Sequence, residues 1–114
     1  MKMILYGIPN CDTVRKARKF LESHQIDFQF QDFRKRPLTI DTLQAWLKHH
    51  PMSVIVNKRS TAWKQLDEPQ QTALMNSQQP ALLIENPTLI KRPVLQTAQQ
   101  VLFGFNTKEY EKLL

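Results

Sequence analysis

One cysteine, Cys11, excludes any internal disulfide in this chain of 114 residues, so the fold has to rest on packing. Glycine is nearly missing as well. Only Gly7 and Gly104 occur, and flexible Gly-rich linkers between modules are excluded with them. No run approaches the ~18 apolar residues that a membrane span requires. The opening MKMILYGIPNCD reaches turn residues after about six positions, too soon for a secretory signal. Internal repeats and low-complexity segments are also lacking. These absences lead us to expect a cytoplasmic protein with no membrane partner, and the length suits one domain over residues 1–114.

What is present can build one core. Apolar residues make up 41% of the chain, with six Phe and two Trp among them. At this size roughly two-thirds of the unfolded surface can be buried. The net charge of +6 suits anionic partners, whether small anions, thiol peptides or nucleic acid. The one dense basic cluster, Arg34-Lys35-Arg36, precedes Pro37 and reads as a solvated turn. No element carries a basic and aromatic stripe, so direct nucleic-acid binding is not expected. His24, His49 and His50 stand at no metal-ligand spacing with Cys or carboxylates, and no metal site is expected.

Periodicity orders the elements. Met3-Ile4-Leu5-Tyr6 reads as a short buried strand ended by Gly7-Ile8-Pro9-Asn10. Val14, Ala17, Phe20 and Leu21 then recur at helical spacing, with Asn10 as N-cap and Cys11 in the first turn. Residues 26–33 alternate like a half-buried strand. A second helix is expected after the Thr39 cap, with Ile40, Leu43, Trp46 and Leu47 on one face, stopping by His50 because Pro51 follows. Short helices fill 60–83, and Trp63 reads as core. Residues 94–97 and 101–103 read as a hairpin, and a capped helix from Thr107 to Leu114 closes the chain. The expected class is α/β, with a mixed four-stranded sheet and flanking helices in the thioredoxin-like arrangement. A helical insert covers about 37–86.

Cys11 holds the chemistry. It follows a strand and a Pro-containing turn and opens a helix, where unpaired backbone N–H groups and the helix dipole favour thiolate over thiol. Arg15 lies four residues on, one helical turn away. Asp12 opposes this with its own charge. Val14 stands where a C-x-x-C motif would place its second cysteine, so the thiol works alone. A monothiol that attacks a disulfide needs another molecule's thiol to resolve the mixed disulfide, and glutathione is the abundant choice. Its carboxylates suit arginine forks. Arg59, within Asn57-Lys58-Arg59-Ser60-Thr61, and Arg92, just before Pro93, are the further candidates.

Three stretches are similar to the YffB branch of the arsenate reductase (ArsC)–Spx–YffB family: residues 6–17, Tyr6 to Ala17; residues 57–66, Asn57 to Leu66; and residues 86–94, Asn86 to Val94. Gly104-Phe105 and a closing helix with Tyr110 fit as well. The resemblance covers nearly the whole chain. It implies a thioredoxin-like fold with a helical insert, a cis peptide before Pro93, and Cys11 as the catalytic cysteine. It further implies Arg15, Arg59 and Arg92 as substrate-binding residues.

Two departures bear on activity. Arsenate reductases of the glutaredoxin-linked type carry His where this chain has Gly7, and an arginine in the region of Gly104-Phe105. The Spx branch binds RNA polymerase and uses a C-x-x-C switch, which Val14 removes. The expected function is therefore a glutathione-dependent monothiol reductase using Cys11, with no tightly bound cofactor and glutathione as cosubstrate. Its substrate would be a small anion or a disulfide, and a protein partner would be glutaredoxin or RNA polymerase. The alternatives are an Spx-like protein that binds RNA polymerase or another macromolecule without catalysis, and an arsenate reductase.

Overall fold

The computed structural model describes residues 3–114. The chain divides into two compact units. One takes the chain up to Arg36 together with Arg92–Leu114, and the other is Pro37–Lys91.

The first unit is built on a four-stranded mixed sheet of order β2-β1-β3-β4. Strand β1 (Met3–Gly7) pairs in parallel with β2 (Phe28–Asp32), in the register Leu5 to Phe30. It pairs antiparallel with β3 (Val94–Gln96), which forms a hairpin with β4 (Val101–Phe103). Helix α1 (Asp12–Ser23) makes the crossover between the parallel strands, as that pairing requires. The register lines up Leu5, Leu95 and Leu102 on one sheet face. Ala17 and Leu21 of α1 and Tyr110 of the closing helix cover them, forming one buried cluster. This is the thioredoxin-like arrangement.

Local chemistry sets the corners. Helix α1 ends where Gln25 turns left-handed at φ 57°, and the Ile26 N–H reaches the Leu21 carbonyl at 3.0 Å. Strand β2 stops because the Asp32 carboxylate accepts the Arg34 N–H at 2.8 Å and starts a turn. In the hairpin, Thr97 leaves the strand. Its hydroxyl accepts the N–H groups of Gln99 and Gln100 at 3.2 and 3.1 Å, so β3 is shorter than the expected 94–97.

The second unit is helical. Thr39 caps α2 (Ile40–His49) by accepting the Thr42 N–H at 3.2 Å, and Leu43 and Trp46 are buried on its inner face. Ile40 is not part of that face. It is 40% exposed, because the first residue after the cap points outward before the inner stripe begins. Pro51 does more than stop α2: it starts a further helix, α3 (Met52–Ile55), which the sequence pattern did not suggest. Helices α4 (Thr61–Gln65), α5 (Glu68–Met75) and α6 (Ala81–Glu85) follow. A capping box between Asp67 and Gln70 opens α5. A 3-10 turn, Pro87–Leu89, leads to an antiparallel bridge between Val56 and Ile90. Trp63 is only half-buried, so it is not the core residue expected. The closing helix of the first unit, α7 (Thr107–Glu111), is capped by the Asn106 side chain and is shorter than expected; Leu114 lies beyond it, 66% exposed. No helix among the described residues is long and apolar enough to cross a membrane.

Candidate active site at Cys11

Strand β1 delivers the chain to the site. It ends at Gly7, and the Ile8-Pro9-Asn10 turn closes with the Cys11 N–H donating to the Ile8 carbonyl at 3.3 Å. Cys11 has extended dihedrals (φ −92°, ψ 126°), and its carbonyl accepts the Arg15 N–H at 3.0 Å. Those two properties make Cys11 itself the N-cap of α1. Asn10, expected in that role, lies one residue outside, and Cys11 precedes the first turn rather than joining it. Its side chain makes no capping hydrogen bond, and the thiol is free and half-buried. It therefore sits at the positive end of a twelve-residue helix without being consumed by it.

Arg15 is engaged elsewhere. Its guanidinium pairs with the Asp12 carboxylate across i,i+3, with both side chains exposed. The two charges that sequence reasoning set against each other around Cys11 thus bind one another. Nothing in the spacing alone chose between an arginine aimed at sulfur and one aimed at Asp12.

The far wall of the site in this unit comes from the start of β3. Tyr6 pairs with Val94, so the register carries Pro93 alongside the end of β1 from which the Cys11 turn departs. The Arg92–Pro93 peptide is cis, Pro93 is buried, and Arg92 is half-buried. The Pro93 carbonyl accepts the Gly104 N–H at 2.8 Å, and Gly104 adopts φ 82°, a conformation that favours glycine. That backbone contact occupies the region where the expected arginine of an arsenate reductase is replaced by Gly104-Phe105.

Arg59 belongs to the helical unit. Its N–H donates to the Asn57 side chain at 3.1 Å, in the turn that Ser60 converts into α4, and its side chain is exposed. Of the expected site residues, Cys11, Arg15, Arg92 and Pro93 thus belong to the sheet unit and Arg59 to the other. Sequence reasoning missed a further feature. Gly7 backs directly onto Val14, so the end of β1 and the first buried position of α1 are in contact.

Chemically, a free thiol at a helix N-terminus can attack an electrophilic sulfur or oxidised centre, and Arg92 can take an anionic group. Among the described residues no cluster of three or more His, Cys, Asp or Glu side chains could hold a metal ion.

Comparison with known proteins places the chain. An uncharacterised protein of Haemophilus influenzae is 44% identical over 107 residues, 94% of each chain. The global transcriptional regulator Spx 2 of Bacillus cereus is 30% identical over 114 residues, covering 98% of this chain and 86% of the regulator. The solved structure of a YffB protein superposes with a TM-score of 0.91 at 32% identity, over 97% of both chains. The ArsC family model matches residues 6–113, and this protein belongs to the ArsC family.

Proposed function

We propose that this protein is a glutathione-dependent monothiol reductase acting through Cys11. The observation that carries the reading is the free, half-buried thiol at the N-cap of α1, on the turn that leaves β1 beside the cis Arg92–Pro93 segment. The Cys11 thiolate attacks the glutathione sulfur of a mixed disulfide. The Cys11–glutathione bond forms, the substrate's S–S bond breaks, and the substrate sulfur leaves as a thiolate that takes a proton from water. A second glutathione thiolate then attacks the new disulfide, regenerating the Cys11 thiolate and releasing oxidised glutathione. Arg92 would hold a carboxylate of glutathione, and Arg15 would do so once released from Asp12. Arg59 joins this set through the family resemblance.

A second reading has its own support. Similarity to Spx 2, at 30% identity, extends over 98% of this chain, so a macromolecular partner such as RNA polymerase is the alternative to catalysis. Reduction of arsenate is the weaker reading, since Gly7 and Gly104-Phe105 stand at positions where the resembled enzymes carry side chains for the anion.

The test is turnover of the mixed disulfide of glutathione and cysteine, with glutathione as reductant. The native protein is expected to turn over and Cys11→Ser to be inactive, with a Cys11–glutathione adduct seen by mass spectrometry. Arg92→Ala should raise KM for glutathione more than it lowers kcat. A native protein no faster than the uncatalysed exchange overturns the enzyme reading. Binding of purified RNA polymerase by both forms would then support the Spx-like one.

A further inference from the structure

The dense basic cluster Arg34-Lys35-Arg36 takes no part in the chemistry at Cys11, yet two of its members line a groove. Pro9, Arg18, Phe30, Gln31, Lys35 and Arg36 surround an open volume of about 370 Å³ along β2. Among the described residues, strand β2 is the edge of the sheet and pairs only with β1.

The strand's outward backbone groups run along the edge away from β1, with Phe30 lining the groove and Phe28 two residues before it. The Phe33 N–H donates to the Gly7 carbonyl at 3.0 Å, which fixes the odd-numbered residues of this stretch as those bonded to β1. Alternation then turns the backbone N–H and C=O of Phe28 and Phe30 away from β1, toward the open edge. The Asp32 carbonyl, next in that series, is taken by the N–H groups of Lys35 and Arg36 at 3.2 and 2.9 Å. An open edge of this kind is a template for another strand.

Charge selects what that strand should carry. Arg18, Lys35 and Arg36 supply three cations. The one carboxylate among the lining residues, Asp32, is turned inward: it accepts the Arg34 N–H at 2.8 Å and its side chain is only 9% exposed. Arg18 is held over the edge by the Phe30 ring, with 4.4 Å from guanidinium carbon to ring centroid.

We propose that the β2 edge docks an extended acidic peptide segment of a partner protein, pairing with Phe28 and Phe30 and held by Arg18, Lys35 and Arg36. An extended segment uses both the donors and the acceptors of the edge, whereas a small anion would use only donors. Pro9 lies two residues before Cys11, so the groove ends on the turn that carries the thiol. The inference stands apart from the thiol chemistry, because docking needs no reaction at Cys11.

The experiment uses the full chain as Cys11→Ser, so that no disulfide forms. The probe is a fluorescein-labelled peptide of alternating Glu and Val, with an alternating Lys and Val peptide as control. Binding is read by anisotropy, and hydrogen exchange of the Phe28 and Phe30 amides by NMR. The acidic peptide should bind and slow exchange at both amides. The exposed-turn variant Lys35→Glu/Arg36→Glu should weaken binding by roughly tenfold or more. Absence of binding, equal binding of the Lys peptide, or unchanged exchange at Phe28 and Phe30 overturns the proposal. Displacement by inorganic phosphate but not by chloride at equal ionic strength assigns a small-anion site instead, and overturns it too.

Discussion

A Cβ placed on Gly7 would lie 2.8 Å from Cγ2 of Val14 and 3.2 Å from its Cγ1, so the end of β1 and the first buried residue of α1 fit only because Gly7 has no side chain. Val14 has no exposure, and a β-branched residue in a helix has little rotamer freedom, so it cannot swing aside. Gly7→Ala is therefore expected to destabilise the protein by about 1–3 kcal/mol. Urea unfolding followed by circular dichroism measures the loss. The double variant Gly7→Ala/Val14→Ala restores the space, and its loss should be smaller than the two single losses added. Additive losses would show that the contact is not the cause. The same contact joins the two departures from the resembled activities: Gly7 replaces a histidine, and Val14 replaces the second cysteine of a dithiol.

Ser60 is the buried polar side chain of the helical unit, and it serves two backbone groups at once. Its hydroxyl donates to the Asn57 carbonyl at 2.7 Å and accepts the Trp63 N–H at 3.1 Å, which starts α4. Ser60→Ala leaves the Trp63 N–H unmet, while the Asn57 carbonyl keeps the Ser60 N–H at 3.1 Å, and should cost about 1–2 kcal/mol. Ser60→Thr keeps the hydroxyl and should cost less. Thermal melting reads the difference as a larger drop in midpoint for the alanine variant than for the threonine one.

Elements with strong period were legible from the residues: the alternation in β2, the stripe Val14, Ala17 and Leu21 in α1, and the hairpin after Pro93. Their apolar faces had one way to be buried. What was illegible turned on choices among neighbouring polar groups. Asn10 is the better capping residue by type, yet the turn that closes on the Cys11 N–H places the cap one residue later. Helix α3 has only four residues, too few to show a period. At the site, the thiol's place after strand and turn was readable, and the cis Arg92–Pro93 peptide was implied only by resemblance. The partner of Arg15 was not readable, because i,i+3 and i,i+4 neighbours are equally near on a helix.

The Asp12–Arg15 pair bears directly on reagents that approach Cys11. Both side chains are exposed, so the pair itself contributes little to stability. Its electrostatic effect on an anionic reagent is separable from its effect on a neutral one. Asp12→Asn removes a carboxylate and frees the guanidinium, which should raise the rate of Cys11 alkylation by iodoacetate roughly two- to fivefold relative to iodoacetamide. Arg15→Gln should move that ratio the other way. A ratio unchanged in both variants would remove Arg15 from the anion-binding set.

Tyr110 has no exposure, packs edge-on against Phe20 and Phe105, and its hydroxyl has no hydrogen-bond partner among the described residues. Burial, and then the charge of Glu109, push its ionisation far above the ordinary tyrosine range. As pH rises past about 10, the unfolded chain releases the phenolic proton and the folded chain keeps it. The unfolded state then binds fewer protons, so stability falls with rising pH. Tyr6, also raised by burial, acts with the same sign. Tyr110→Phe removes an unmet buried hydroxyl and should leave stability at pH 7 unchanged or raise it by up to about 1 kcal/mol. Above pH 10 the variant should lose about 1.4 kcal/mol less per pH unit than the native protein. Urea midpoints at pH 7, 10 and 11 measure both effects. Equal alkaline slopes would mean that the Tyr110 hydroxyl reaches solvent or a partner in the folded protein, and the packing of α7 against Phe20 would then be looser than its ring contacts imply.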